Sequence, residues 1–113
     1  MVTKYFNRHE RFIKNMEIDK VIAALNSKLR REILKIISKQ PMTVIQVLEE
    51  LKKRKIEVKY RETVYRALEK MFDAGLVEKG YIKEKGLCYK LTLNRIVIDL
   101  TKGEIEGSLE RAH

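Results

Sequence analysis

Apolar side chains recur at helical spacing through much of the chain. The clearest case is residues 59–73, where four of them follow the spacing i, i+3, i+4 and i+7 that marks one face of a helix: Val64, Ala67, Leu68 and Met71. Gly75 follows where a left-handed residue commonly ends a helix. The same periodicity predicts three more helices, over residues 17–26, 28–38 and 44–51. Ser27 and Thr43 stand before the last two as N-cap residues.

After Gly75 the pattern changes to the alternation that is typical of strands. Residues 76–82 and 87–93 predict two antiparallel strands, joined by a loop in which we expect Gly86 to have a positive φ. In the second strand we expect Cys88 and Thr92 to point away from the core, since the apolar set alternates as Leu87, Tyr89, Leu91 and Leu93. Residues 95–100 predict one more strand.

The two ends of the chain give weaker patterns. Residues 104–113 are polar, and we expect a frayed tail. Residues 1–16 carry aromatic and apolar side chains at helical spacing. This predicts an amphipathic helix whose apolar face packs against another surface. That face either folds back on the chain's own core or packs against a second copy. We favour the second copy, and the candidate dimerisation residues are Tyr5, Phe6, Phe12, Ile13 and Met16.

The order of the predicted elements indicates a fold. Residues 44–51 and 59–73 follow each other as in a helix-turn-helix, and the hairpin after them has the place of a β-wing. We therefore predict a winged helix-turn-helix, a mainly α fold with a small antiparallel β-wing (α+β). Residues 1–16 would be a dimerisation helix, residues 17–94 the winged domain, and residues 95–113 a C-terminal strand and tail.

The net charge favours a polyanionic partner. Lys and Arg number 25 against 16 Asp and Glu, so the formal charge is +9 at pH 7. Nucleic acid is the commonest partner of so basic a small domain. A solvated, thermophile-type surface is the alternative, since glutamine occurs only at Gln40 and Gln46, and both interpretations can hold together.

The sequence gives no support for a membrane protein, a secreted protein, an enzyme or a metal-binding protein. No apolar run reaches the ~18 residues that span a bilayer, and the N-terminus lacks the apolar centre of a secretory signal, so we expect a cytoplasmic protein. The single Cys88 excludes an intramolecular disulfide. No Ser/His/Asp set or Gly-rich phosphate loop indicates an enzyme. His9, His113 and Cys88 are too few and too scattered for a metal site, and we expect no cofactor.

Residues 25–92 resemble the winged-helix regulators. L-N-S-K-L-R-R-E-I-L at 25–34 is similar to the L-x-x-x-x-R-x-x-I-L opening of the ArsR family, and A-G-L-V at 74–77 resembles the end of that family's recognition helix. Y-K-L-T at 89–92 resembles its second wing strand. T-V-Y-R-A-L at 63–68 is more similar to the T-V-Y-R-x-L of the ferric-uptake (Fur) regulators. The resemblance implies the winged-helix fold and DNA binding.

The chain departs from both families where they bind metal. ArsR metal sensors carry a Cys-x-Cys pair on the helix before the turn, whereas residues 44–49 here contain no thiol. Fur regulators add a His-rich dimerisation domain, and we expect no such domain here. Metal sensing is therefore not expected.

We interpret residues 59–73 as the recognition helix, and its position indicates which residues would contact DNA. Its first turns would meet base edges in the major groove, and the candidates are Tyr60, Arg61, Glu62, Thr63, Tyr65 and Arg66. Either arginine could bind guanine, and Glu62 could accept a hydrogen bond from cytosine. The phosphate candidates are Lys52, Lys53, Arg54, Lys55, Lys59, Lys83 and Lys85. The alternative for these residues is helix-flank packing or a solvated charge.

Acidic residues on the same helix oppose this interpretation. The face opposite the apolar stripe contains Arg66 and three acids, Glu62, Glu69 and Asp73, which phosphates repel. The conflict eases if only the N-terminal end of the helix enters the groove. The sequence thus favours a homodimeric, sequence-specific regulator of transcription, more specifically a repressor, that binds double-stranded DNA. A protein-interaction winged helix and an RNA binder are the alternatives.

Overall fold

The computed structural model of the protein describes the backbone of residues 11–110 and the side chains of residues 16–109. This part of the chain contains four helices: α1 (Ile18–Leu25), α2 (Lys28–Ile37), α3 (Val44–Lys53) and α4 (Arg61–Asp73). It also contains five strands: β1 (Arg11–Asn15), β2 (Val77–Ile82), β3 (Gly86–Leu91), β4 (Arg95–Asp99) and β5 (Glu104–Glu110). None of these helices is long and apolar enough to cross a membrane.

The four predicted helices are confirmed, and each buries its apolar stripe in one shared core. The fully buried side chains of the helices are Val21, Ala24, Ile33, Ile36, Ile37, Val47, Leu51, Val64, Leu68 and Met71. Each large aliphatic side chain among them stabilises the fold by about 1.5–3 kcal/mol relative to exposure. Helix α4 is the central element, since it contacts α1, α2, α3 and β2.

Polar side chains define the helix ends as the sequence predicts. The Ser27 hydroxyl accepts from the Arg30 amide at the start of α2. Thr43 and Gln46 form a reciprocal capping box at the start of α3, with distances of 3.1 and 3.0 Å. At the end of α4, Gly75 has φ +84°, and the Leu76 amide donates to the Met71 carbonyl. That pattern is a Schellman motif, which turns the chain sharply into β2.

Strands β2 and β3 form the predicted wing, an antiparallel hairpin that runs from the pair Val77–Leu91 to the pair Ile82–Gly86. Gly86 has φ +99°, as expected. The predicted inward and outward faces of the second strand are wrong in part. Cys88 and Thr92 are buried, whereas Leu87 is 44% exposed.

Two contacts explain why the simple alternation fails there. The base of the wing lies against α2, and Met42 exchanges backbone hydrogen bonds with Tyr89 at the edge of β3, at 2.8 and 3.0 Å. The strand is therefore covered on more than one side near its base, while Leu87 lies beyond this cover. The Thr92 hydroxyl is satisfied because it donates to the Leu76 carbonyl at 3.1 Å.

A second sheet, with strand order β1-β5-β4, corrects two predictions at the ends of the chain. Residues 11–15 of the predicted N-terminal helix are strand β1, and residues 104–110 of the predicted frayed tail are the central strand β5. Their pairing runs from Arg11–Glu110 to Asn15–Glu106, across nearly the whole described chain. Local periodicity carries no information on such a distant partner, and this pairing overrides it.

The new sheet packs on the helical core through its inner face. Ile105 is buried there, with Leu93 and Met16 close by. A Cβ atom at Gly107 would lie 2.4 Å from Leu93 Cδ1 and 2.9 Å from Met16 Sδ, so these side chains would have to shift, and glycine lets β5 lie against them as they are.

The end of α3 carries a strained residue, and we predict that relieving the strain stabilises the protein. Lys55 has φ +60° in a second Schellman motif, in which the Ile56 amide donates to the Leu51 carbonyl at 2.9 Å. We expect Lys55→Gly to raise the free energy of unfolding by about 0.5–1 kcal/mol. Lys52→Gly removes the same charge from within α3 and should instead lower it by about 1 kcal/mol. Urea unfolding of both variants measures this, and a loss of stability in Lys55→Gly would contradict the prediction.

Candidate nucleic-acid interface

The first two turns of α4 present a continuous exposed surface. Burial of the apolar stripe leaves the other side chains of these turns in solvent, and all six base-reading candidates are exposed: Tyr60, Arg61, Glu62, Thr63, Tyr65 and Arg66. Tyr60, the N-cap residue, is 63% exposed. The described residues thus leave this end of the helix uncovered.

A cleft of about 440 Å³ joins this surface to α3 and the wing. It brings together three of the base-reading candidates and one phosphate candidate, Arg61, Glu62, Tyr65 and Lys85. Its other walls come from Thr43, Val44, Ile45 and Leu87, which sequence reasoning did not nominate. A signal for Ile45 was present, since it is a large apolar residue outside the buried stripe of its helix.

The N-terminus of α4 differs from those of α2 and α3 because no side chain caps it. Tyr60 makes no capping hydrogen bond. Amide groups and the helix dipole give such an end a partial positive charge, which favours an anion. The start of the helix therefore adds to the positive charge of the surrounding lysines.

Each acidic side chain of α4 forms an ion pair with a cation of the protein. Glu62 lies 3.4 Å from Arg66, and Asp73 lies 3.6 Å from Lys20 of α1. Glu69 is half-buried and turns towards the wing, so its predicted place on the outward face is wrong. Its position near the middle of α4 brings it opposite the wing strands rather than solvent. Each of the three acids thus has a cation beside it.

Glu69 connects α4 to both strands of the wing. Its carboxylate accepts hydrogen bonds from the Tyr89 hydroxyl of β3 and, at 3.0 Å, from Lys79 Nζ of β2. Lys79 Nζ also lies 4.3 Å from the centre of the Phe72 ring. Burial raises the pKa of Glu69, but the hydrogen bonds from Tyr89 and Lys79 outweigh it and hold the pKa below its ordinary value. The carboxylate therefore stays ionised at neutral pH.

The basic residues of the segment between α3 and α4 are exposed, whereas Ile56 and Val58 are half-buried against the core. Lys52, Lys55 and Lys59 border a second cleft of about 450 Å³, together with residues 56–58. Lys53 is paired with Glu50 at 3.3 Å, and Arg54 is exposed outside this cleft. Lys83 and Lys85 are exposed at the tip of the wing. The structure thus places the phosphate candidates in two groups, one before α4 and one on the wing.

The described dimerisation candidates do not all lie in one secondary-structure element. Met16 is half-buried against the core and does not belong to an exposed apolar face. Phe12 and Ile13 lie in β1, which corrects the predicted helix but leaves their role a prediction. Tyr5 and Phe6 lie outside the described residues.

The described residues contain no group of three or more His, Cys, Asp and Glu side chains placed to hold a metal ion. Cys88 is buried, and burial raises the pKa of its thiol. His9 and His113 lie outside the described residues.

Comparison with known proteins identifies the fold. A search of family models found no match, and a search of curated proteins found none either. A solved structure described as a "zinc-bound manganese uptake regulator" matches with a TM-score of 0.56 and 18% sequence identity. The match covers 85% of this chain and 75% of that one. The likeness shows the winged-helix fold, and the finer resemblance to the ArsR family stays a prediction.

The contacts of Glu69 predict a pH-dependent stability. A carboxylate with a lowered pKa stabilises the fold above the ordinary Glu pKa of ~4.3, and this contribution is lost as the pH falls through the folded-state pKa. We expect Glu69→Gln to lower the free energy of unfolding by about 1–2 kcal/mol at pH 7, and by less in acid.

Urea unfolding between pH 7 and pH 3 measures the difference between Glu69→Gln and the natural protein. Glu104→Gln, at an exposed carboxylate in β5, is the control and should leave the stability unchanged at each pH. A deficit of Glu69→Gln that stays constant with pH would contradict the charge-based explanation.

Proposed function

We propose that this protein is a transcriptional regulator that binds double-stranded DNA in a sequence-specific way, as a homodimer, and represses by occluding its site. The observation that carries the proposal is the exposed N-terminal half of α4, which lies between two groups of cations. The repulsion of DNA by the acids of this helix is reduced, since each of them has a cation beside it.

The geometry fits the major groove, which is about 12 Å wide and admits one α-helix. With the first turns of α4 in the groove, Arg61 or Arg66 would bind guanine, and Glu62 would accept a hydrogen bond from cytosine. Thr63 or Tyr65 would contact a thymine methyl group or a phosphate. The lysines of the wing and of the segment before α4 would then hold phosphates on either side.

The similar solved structure supports a regulatory role, because its description names a regulator of manganese uptake. That description also names bound zinc, whereas the described part of this chain offers no metal cluster. We propose, as the sequence predicts from its few and scattered His and Cys residues, a regulator that acts without a resident metal ion.

A protein-interaction module is the second candidate function. Three apolar side chains at the DNA-facing cleft, Ile45, Tyr65 and Leu87, are each more than 40% exposed. Exposed apolar groups of this kind also fit a protein partner. DNA would bind to the cations around the cleft, whereas a protein partner would bind to the apolar walls of the cleft.

Selection from a random pool of DNA duplexes at two salt concentrations, with a chelator present, tests the proposal. We expect enrichment of a two-fold symmetric motif and an affinity that falls steeply with salt. Retention without any motif would overturn the base-reading role of α4 and favour the protein-interaction module. Tighter binding to an RNA duplex at equal salt would favour an RNA binder.

Two substitutions separate base reading from phosphate contact. We expect Arg66→Ala to lower the preference for the selected motif over random DNA by about 1–3 kcal/mol. Lys83→Ala should weaken binding to every duplex alike and reduce the salt slope by about one. Lys102→Ala, at an exposed lysine in the turn between β4 and β5, is the control and should change neither quantity. Equal losses on all sequences for both variants would remove the base-reading assignment.

A further inference from the structure

Strand β4 lies at one edge of the second sheet and carries apolar side chains into solvent. Val97 is 57% exposed and Ile98 is 39% exposed, and Leu100 follows directly at 87%. An edge strand also presents the N–H and C=O groups of alternate residues, ready to pair with another strand. Natural edges are usually protected by charges or proline, but the three central residues of β4 are all β-branched and apolar.

The sequence of β4, R-I-V-I-D, is complementary to itself in the antiparallel direction. If two copies pair about Val97, each Arg95 lies opposite the Asp99 of the other copy. Ile96 then lies opposite Ile98, and Val97 opposite Val97. Opposite charges and β-branched residues in facing positions are the pairs that stabilise antiparallel strands.

The acidic end of this pairing is held in place by the fold. Asp99 Oδ1 accepts from the Thr101 amide and hydroxyl and from the Lys102 amide, at 2.7–3.0 Å. These bonds fix the carboxylate at the end of the strand before any second copy arrives. A preorganised charge loses less entropy on association than a mobile one.

The other strand edges fit a second copy less well. Self-pairing of β1 would set Arg11 opposite Asn15, with no charge complement. Self-pairing of β2 would set Glu78 opposite Tyr81. The edge of β3 is already occupied by Met42. Among the described strands, β4 is the edge with both apolar and charge self-complementarity.

We infer that β4 pairs with β4 of a second copy, antiparallel and centred on Val97, so that two three-stranded sheets join into one of six strands. The inference deepens the homodimer of the proposed function by naming its surface. It places that surface at the opposite edge of the sheet from β1, where part of the predicted dimerisation segment lies. Two short strands bury little area, so we expect a weak dimer in solution, which two adjacent half-sites on DNA would strengthen.

Cysteine cross-linking tests the register. In the inferred pairing the two Val97 Cα atoms lie about 4.5–5.5 Å apart, within the range of a disulfide. The two Leu100 Cα atoms lie roughly 20 Å apart, since each is three residues from the two-fold axis. We expect Val97→Cys to form a covalent dimer under mild oxidation, and Leu100→Cys to stay monomeric although it is more exposed.

The natural chain, whose Cys88 is buried, is the second control in this experiment and should not cross-link. Equal cross-linking of the Val97→Cys and Leu100→Cys variants, or none in either, would overturn the inferred register.

Charge variants at the two-fold axis give an independent test that needs no covalent bond. Val97→Asp and Val97→Lys each place like charges face to face, so each variant alone should be monomeric by sedimentation at concentrations where the natural chain dimerises. A mixture of the two should recover the dimer, because the facing charges are then opposite. A mixture that stays monomeric, or a Val97→Asp variant that dimerises like the natural chain, would contradict the inference. Circular dichroism verifies that each variant is folded.

Binding to DNA separates the failure of this inference from the failure of the proposed function. If both hold, Val97→Asp keeps its affinity for a single half-site and loses the added affinity for the two-fold site. If no natural or variant chain selects a motif but Val97→Cys cross-links, the DNA-binding proposal fails and the β4 interface stands. If the natural chain binds a two-fold site and Val97→Asp binds it equally well, the dimer uses another surface.

Discussion

The arrangement of α4 and the wing depends on one half-buried carboxylate. Glu69 accepts hydrogen bonds from both wing strands, through Tyr89 and Lys79, and a charge in that position is stable only with such partners. Burial and the neighbouring carboxylate raise the pKa of Tyr89, so its hydroxyl stays a donor. The contact joins the element that would read bases to the element that would hold phosphates, and it sets the distance between them.

The same contact explains how a helix with several acids can face a polyanion. An acid on the outer surface of α4 would repel phosphates, but Glu69 turns inward and Glu62 and Asp73 lie beside cations. The uncapped start of the helix and the lysines on both sides then determine the local potential. The lysines beside α4 and on the wing therefore contribute their part of the net charge of +9 next to a helix whose acids each have a neighbouring cation.

Much of the fold could be predicted because its signals are local. The apolar spacing of residues 59–73, the N-caps Ser27 and Thr43, and the left-handed Gly75 are each readable within one turn of the chain. The second sheet could not be predicted, since β1 and β5 become strands through a partner almost a whole chain away. The inward turn of Glu69 was missed for the same reason, because Tyr89 is twenty residues further along. For the candidate site, sequence position nominated the exposed residues of α4, and only the fold revealed Ile45 and Leu87 beside them.

The pairing of Arg11 with Glu110 has a consequence for how the chain folds. The helices and the wing contact one another within residues 18–91, so their packing does not need the two ends of the chain. In the second sheet β4 and β5 pair as a local hairpin, but the pairing of β1 with β5 must close a loop that contains almost everything else. The winged domain and the β4-β5 hairpin can therefore form before β1 joins the sheet, so the strand that is added last lies at the edge opposite β4.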